Sequence, residues 1–278
     1  MTAAQTGRRL AVAIAGASIL LVTSAATIGL VATVSPTAEP ADTAGPTGPP
    51  NSAAPAFAEE CTDALRPEWS ALHVPGDRGF GLDSDFLGDL RQVSVANGTC
   101  TITAARVATS SGRPYASAAM ATRATFAQAY GTFEIRVRYP AGQGMWPAFW
   151  LLRDQVEIGG PPEIDIFEAY PGRGGIGGGS GPNVVVSSLH YQGGTHHFSY
   201  DRGSDMTADF HTHRLTWSPG LLVFSIDGVE TGRVTQNVPD VAMYPIVNLA
   251  VGAPGFRADS STPAVATMDI DYIRVWAQ

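Results

Sequence analysis

The sequence predicts an all-β protein, a β-sandwich or jelly roll built from many short strands. Glycine and proline are frequent, with 31 and 20 of the 278 residues, and a chain rich in turns favours an all-β fold. Short segments that alternate apolar and polar residues recur between clusters of Gly, Pro, Asn and Asp, and no segment keeps a helical period over three turns. Only 15% of the residues are charged and 44% are hydrophobic, which excludes a long disordered chain or a coiled coil.

The N-terminal segment has the order of a secretory signal. Arg8 and Arg9 precede an almost unbroken apolar run over residues 10–34, as at the start of exported proteins. The run is also long enough to span a bilayer. Two interpretations of residues 1–34 therefore stay open, a cleaved signal peptide and an uncleaved signal anchor. Both predict an extracellular protein, either secreted or anchored to the cell surface by residues 10–34.

A linker is predicted between this segment and the folded domain. Residues 35–57 contain six prolines among Ala, Thr and Gly, a composition that cannot build a core and stays extended. The folded domain is then predicted over residues 58–278, a length that buries most of its apolar surface.

The chain has only two cysteines, Cys61 and Cys100, and both lie in the exported part. Outside the cell a pair of cysteines is normally bridged, so a Cys61–Cys100 disulfide is predicted. Two buried free thiols are the alternative.

Nine segments follow the strand pattern. The first, residues 92–105, is predicted as a hairpin that turns at Asn97-Gly98. The others cover residues 130–140, 146–152, 163–170, 183–191, 211–218, 221–228, 244–252 and 268–277.

Three acidic residues lie close together in the segment Glu163-Ile-Asp-Ile-Phe-Glu168. On a regular strand Glu163 and Asp165 share one face and Glu168 points to the other. Acids flanked by Ile and Phe need a reason, because burying a carboxylate is costly. A β-bulge near Ile166-Phe167 would shift the phase and bring all three carboxylates to one face.

Two carboxylates on one cleft face are what glycoside hydrolysis requires, one as nucleophile or base and the other as acid. The alternative is an acidic edge strand on a solvated surface. The formal net charge of −8 argues against a nucleic-acid partner, which normally meets a basic patch.

The surrounding sequence resembles glycoside hydrolase family 16, the laminarinase-like β-glucanases and their relatives. The resemblance rests on GQGMWPAFWLL, residues 142–152, followed by EIDIFE, residues 163–168, and extends over most of residues 92–277. It implies a β-jelly-roll sandwich of two curved antiparallel sheets, a concanavalin A-like architecture that binds sugar along the concave sheet.

The resemblance also implies roles for individual residues. Glu163 matches the nucleophile, Asp165 the assisting acid and Glu168 the general acid/base. Trp146 and Trp150 match tryptophans that serve as sugar platforms, although the alternative, that both belong to the core, stays open.

Three further residues match functional positions of the family, and for two of them another interpretation stays open. His190 falls where relatives place a histidine near the acid/base; a surface histidine at a strand end is the other interpretation. Phe256 stands in a segment where the family has Gly-Gly-Trp, and is expected to replace a missing aromatic platform. Asp271 matches a position that often helps to bind a structural calcium, and a salt-bridged or solvated aspartate is the alternative. No further metal site is predicted from the four histidines at positions 196, 197, 211 and 213, and the chemistry needs no cofactor.

These inferences predict a monomeric, secreted retaining endo-β-glycosidase that hydrolyses a β-1,3- or β-1,3-1,4-glucan. A membrane is expected to be a partner only through an uncleaved anchor. The alternatives are a β-galactan hydrolase of the agar or carrageenan type, a transglycosylase on the same fold, and a non-catalytic glycan-binding surface protein. Because relatives of the last kind usually lose the carboxylates, the three acids of this chain favour an enzyme.

Overall fold

The computed structural model describes residues 54–72, 81–86, 88–154, 160–175, 180–253 and 255–278. These residues contain seventeen strands and no helix. The all-β prediction is thereby confirmed. The strands are β1 Phe57–Glu59, β2 Ser70–Ala71, β3 Ser84–Phe86, β4 Val93–Ala96, β5 Thr99–Arg106, β6 Tyr115–Ser117, β7 Ala119–Ala121, β8 Gly131–Arg138, β9 Met145–Arg153, β10 Glu163–Ala169, β11 Val184–Tyr191, β12 Gly194–Asp201, β13 His211–Ser218, β14 Leu221–Ile226, β15 Val229–Val234, β16 Met243–Val251 and β17 Val265–Trp276.

The strands form two sheets. The ten-stranded sheet has the order β15-β14-β13-β8-β17-β5-β6-β3, with β1 beside β17 and β4 beside β5, and the seven-stranded sheet has the order β12-β11-β10-β9-β16-β7-β2. Among the described strands every pair is antiparallel except β3 with β6. The main core lies between the sheets, where apolar residues of β8 such as Phe133 and Ile135 join Phe149 and Leu151 of β9 in one buried cluster.

Two local predictions are confirmed. Ala96 pairs with Thr99, so Asn97-Gly98 is the two-residue hairpin turn, and both residues have the positive φ that such a turn requires. Cys61 and Cys100 form a disulfide with a Cα–Cα distance of 5.1 Å. The bond ties the segment after β1 to β5.

The folded domain begins slightly earlier than predicted. Phe57, assigned to the linker from its composition, already pairs with Val275 of β17. The described residues lie within one compact unit, residues 44–278. Within the described ranges, no helix has the length and apolar character needed to cross a membrane. The predicted signal or anchor, and all but the last four residues of the predicted linker, lie outside these ranges.

Candidate active site

The outward face of the seven-stranded sheet, here called the site face, is set by the alternation of β9. Met145, Phe149 and Leu151 belong to the main core cluster. Trp146 and Trp150, of opposite parity, belong to two smaller clusters outside it. The two indoles therefore share the site face, as their spacing in the sequence predicted.

Strand β10 carries the predicted bulge. Its pairing with both neighbouring strands shifts after Asp165, so that β10 has one residue more than β9 or β11 over this stretch. Phe167 is left on the core side, and Glu168 comes into register with a site-face residue. The register against β9 is Glu163 with Leu152, Asp165 with Trp150, Phe167 with Phe149 and Glu168 with Ala148. The bulge thus gathers the three carboxylates on the site face.

Glu168 accepts two hydrogen bonds on the same carboxylate oxygen. Trp146 Nε1 donates to Glu168 Oε1 at 2.8 Å, and the Tyr170 hydroxyl donates to it at 2.9 Å. Burial raises the pKa of Glu168 above its ordinary value, and the two donors, which favour the ionised form, offset part of that shift. Tyr170 was not singled out from the sequence, although its position two residues after Glu168 is a signal that it shares the site face.

His190 lies on β11 directly across from Glu163. Its Nε2 is 2.9 Å from Asp165 Oδ2 and 3.9 Å from Glu163 Oε1. His190 thus contacts Asp165, and it also lies near enough to Glu168 to lower the pKa of that residue through its charge, in line with the position near the acid/base that the resemblance implied. Burial raises the pKa of Asp165 well above its ordinary value, and the charge of Glu168 adds to the effect.

Asn248 of β16 holds the two tryptophans in place. Trp150 Nε1 donates to Asn248 Oδ1 at 2.8 Å, and Asn248 Nδ2 donates to the backbone oxygen of Trp146 at 3.4 Å. Each tryptophan is only 8% exposed. Both are therefore fixed parts of the site floor, and Trp146 is more deeply packed than an exposed sugar platform would be.

Phe256 has a packing role in this structure. It is 3% exposed and meets Trp146 and Tyr170 edge to face, with ring centroids 5.5 and 5.0 Å apart. The ring supports Trp146 instead of presenting a free face to a sugar. The expected replacement of the missing platform by Phe256 is therefore corrected, because burial leaves almost none of the ring accessible.

Asp271 forms a salt bridge, which the sequence analysis gave as the alternative to a calcium ligand. Its Oδ2 is 2.6 Å from Arg136 Nη1, and Asp271 belongs to neither group of three close metal-ligating side chains found among the described residues. A protein calcium site normally needs six to eight oxygen ligands. The salt bridge matches the alternative that the sequence offered, and calcium at Asp271 stays a prediction.

A sandwich that gathers three carboxylates and two indoles on one sheet face has the make-up of a carbohydrate-active protein. Comparison with known families agrees with it: the model of glycosyl hydrolases family 16 matches residues 82–274. The chain belongs to glycosyl hydrolase family 16, and the resemblance drawn from its motifs is confirmed.

Individual relatives are β-glycanases or β-glucanases by name. The chain is 33% identical over 193 residues to an endo-1,3-1,4-beta-glycanase of Rhizobium meliloti, covering 66% of this chain and 39% of the relative. It is 31% identical over 189 residues to a beta-glucanase of Rhodothermus marinus, covering 59% of this chain and 63% of the relative. The match thus spans less than two thirds of either relative.

A solved structure confirms the jelly-roll fold. The catalytic domain of an endo-1,3-beta-glucanase (laminarinase) from Thermotoga petrophila superimposes with a TM-score of 0.69 at 29% identity. The superposition covers 80% of this chain and 96% of that domain.

Proposed function

We propose that this chain is an exported, retaining endo-β-glycosidase that hydrolyses β-1,3- or β-1,3-1,4-glucan. The observation that carries the proposal is the bulge in β10, which places Glu163, Asp165 and Glu168 on one face. Family membership and the names of two relatives, a beta-glucanase and an endo-1,3-beta-glucanase, support the β-glucan substrate.

The mechanism assigns a different role to each glutamate. Glu163 attacks the anomeric carbon while Glu168 donates its proton to the departing glycosidic oxygen, which leaves a glycosyl ester on Glu163. Glu168 then removes a proton from water as the water displaces Glu163, and the configuration is retained overall. The raised pKa of Glu168, caused by burial, favours the protonated form that the first step needs.

Asp165 assists from between the two glutamates. Its carboxyl and that of Glu168 repel each other when both are ionised, and burial strengthens that repulsion. Each of these two carboxylates, when ionised, therefore favours the protonated form of the other, and the charge of Glu168 raises the pKa of Asp165 in this way. His190, whose Nε2 lies 2.9 Å from Asp165 Oδ2, acts as a positioning residue for the Asp165 carboxyl.

A panel of polysaccharides tests the substrate class. Laminarin, lichenan, xyloglucan, agarose and carrageenan are incubated with the protein, and the products are sized by mass spectrometry. Short oligosaccharides from laminarin or lichenan, absent with the Glu163→Gln variant, are expected. Cleavage confined to agarose or carrageenan would move the proposal to a β-galactan, and products longer than the substrate would indicate a transglycosylase.

A further inference from the structure

We propose that Glu163, Asp165 and His190 form a zinc-binding site, and that zinc bound there inhibits the enzyme. The binding site is inferred from the structure itself. The inhibition rests on the proposed function, because it requires Glu163 to be the nucleophile.

The three donor atoms have the spacing of a zinc site. His190 Nε2 lies 2.9 Å from Asp165 Oδ2 and 3.9 Å from Glu163 Oε1, and the ligand atoms of all three residues fall within 4.8 Å of one another. Donors about 2.0–2.1 Å from a tetrahedral zinc ion are separated by roughly 3.3 Å. The observed separations bracket that value, so small side-chain rotations bring all three donors onto one ion.

An independent feature of Asp165 points to a cation. Its side chain is only 6% exposed, and among the described residues its buried Oδ2 accepts no hydrogen bond. The contact with His190 Nε2 is short, but it lacks the geometry of a hydrogen bond. A buried carboxylate oxygen that accepts no hydrogen bond carries a desolvation penalty, which a bound metal ion would remove.

The far side of the imidazole is also arranged for metal binding. His190 Nδ1 lies 2.9 Å from the Thr195 hydroxyl oxygen on β12. Zinc binding selects the tautomer in which Nδ1–H donates to Thr195 and the lone pair of Nε2 is left to bind the ion. Such a hydrogen bond to the second ring nitrogen orients and strengthens histidine ligands in metal proteins.

The donor set selects the class of ion. One imidazole and two carboxylates suit Zn²⁺ and neighbouring transition metals, whereas Ca²⁺ and Mg²⁺ prefer oxygen ligands alone. Three protein ligands leave a fourth position for water. The His190 side chain is 38% exposed, which gives an ion a route from solvent.

Calorimetric titration of the full chain with Zn²⁺ alone tests the site. One ion per chain is expected. His190→Gln should weaken zinc binding at least tenfold, and Thr195→Val, which removes only the outer hydrogen bond, should weaken it about tenfold. His196→Gln is the matched control, because His196 neighbours Thr195 on β12 and is not a ligand. Since protons compete for all three ligands, affinity should fall with falling pH. Thermal melts of each variant establish that it is folded.

Activity on laminarin completes the test. Zinc should inhibit the unmodified protein and His196→Gln at the concentration at which it binds, and His190→Gln should resist it. Absence of zinc binding, or binding that His190→Gln leaves unchanged, would overturn the site. Stoichiometric, His190-dependent binding to a protein inactive on every polysaccharide would uphold the site and defeat the proposed function instead.

Discussion

At the scale of single residues, the proposed chemistry depends on how Glu168 balances burial against hydrogen bonding. Burial favours the neutral acid, while the donors Trp146 and Tyr170 favour the ionised form. The result is a carboxyl whose pKa is raised, as a general acid requires, and which is still held in a fixed orientation. The two indoles of the site have different partners: Trp146 donates its N–H to Glu168, whereas Trp150 donates its N–H to Asn248.

The Trp146→Phe variant tests this balance. It keeps a ring in the site but removes the donor to Glu168, so the pKa of Glu168 should rise further. The alkaline limb of the pH–activity profile should therefore move to higher pH, by up to about one pH unit if the bond contributes about 1.4 kcal/mol. Trp150→Phe should leave that limb in place. An alkaline limb that moves to lower pH in Trp146→Phe would contradict the assignment.

Asp165 should reduce the stability of the fold at neutral pH. Because burial raises its folded-state pKa above the unfolded value, its contribution to stability is largest below the unfolded pKa and is lost as the pH rises through the folded pKa. Asp165→Asn cannot ionise, so this variant should melt higher than the unmodified protein at pH 8, with the difference shrinking toward pH 4.

Calorimetric melts of both proteins provide the measurement for Asp165. A gain of about 1 kcal/mol corresponds to roughly 2–4 °C in a domain of this size. Asp271→Asn, at a partly exposed and salt-bridged aspartate, should show no gain. A lower melting temperature for Asp165→Asn at pH 8 would show that its ionised form is stabilised in the fold.

At the scale of strands, the bulge in β10 is the element that makes the site. Phe167, the residue left on the core side, stacks on His213 of β13 with ring centroids 4.3 Å apart. His213 is fully buried, and neither of its ring nitrogens has a hydrogen-bond partner among the described residues. The ten-stranded sheet thus supports β10 from behind through a neutral imidazole.

His213 makes the fold sensitive to acid. Burial lowers the pKa of His213 to about 3, from an ordinary value of 6.5. A depressed folded-state pKa contributes stability that is complete above 6.5 and is lost as the pH falls toward 3, at about 1.4 kcal/mol per pH unit. His213→Phe should therefore flatten the fall in unfolding free energy between pH 6 and pH 4, measured by urea denaturation. An equally steep fall in the variant would assign the acid sensitivity to other groups.

Periodicity predicted the strands whose apolar and polar side chains alternate regularly. It also predicted the bulge, because on a regular strand Glu168 would face the core. It did not predict β12, β15 or the strands of two or three residues; the last of these are too short to show a pattern. The Asp165–His190 contact was also missed, since it depends on the register between β10 and β11. The burial of Phe256 depends on how its loop folds back onto Trp146, which strand periodicity does not describe.

At the scale of the whole molecule, the disulfide is a separate contribution to stability. Cys61 and Cys100 are separated by 39 residues, and closing a loop of this length stabilises a fold by about 4 kcal/mol in the chain-entropy model. The double variant Cys61→Ser with Cys100→Ser should lose about that much unfolding free energy in urea titrations, while reduced and oxidised samples of the variant behave alike. A loss below about 1 kcal/mol would show that the denatured chain gains little freedom without the bond.

The proposed enzyme combines these scales: a sandwich fixes β10, the bulge turns three acids to one face, and burial raises the pKa of Asp165 and of Glu168. The central claim is that Glu163 is the nucleophile and Glu168 the acid/base. Removing the Glu163 side chain leaves space on the α face of the bound sugar, whereas removing that of Glu168 leaves the glycosyl intermediate able to form.

Azide rescue tests this claim most directly, with an activated β-glycoside as substrate and proton NMR to identify the anomer of the product. Glu163→Ala with azide should give the α-glycosyl azide, and Glu168→Ala with azide should give the β-glycosyl azide. The reverse pairing would exchange the roles of the two glutamates, and an α-anomer as the first hydrolysis product of the unmodified protein would contradict retention altogether.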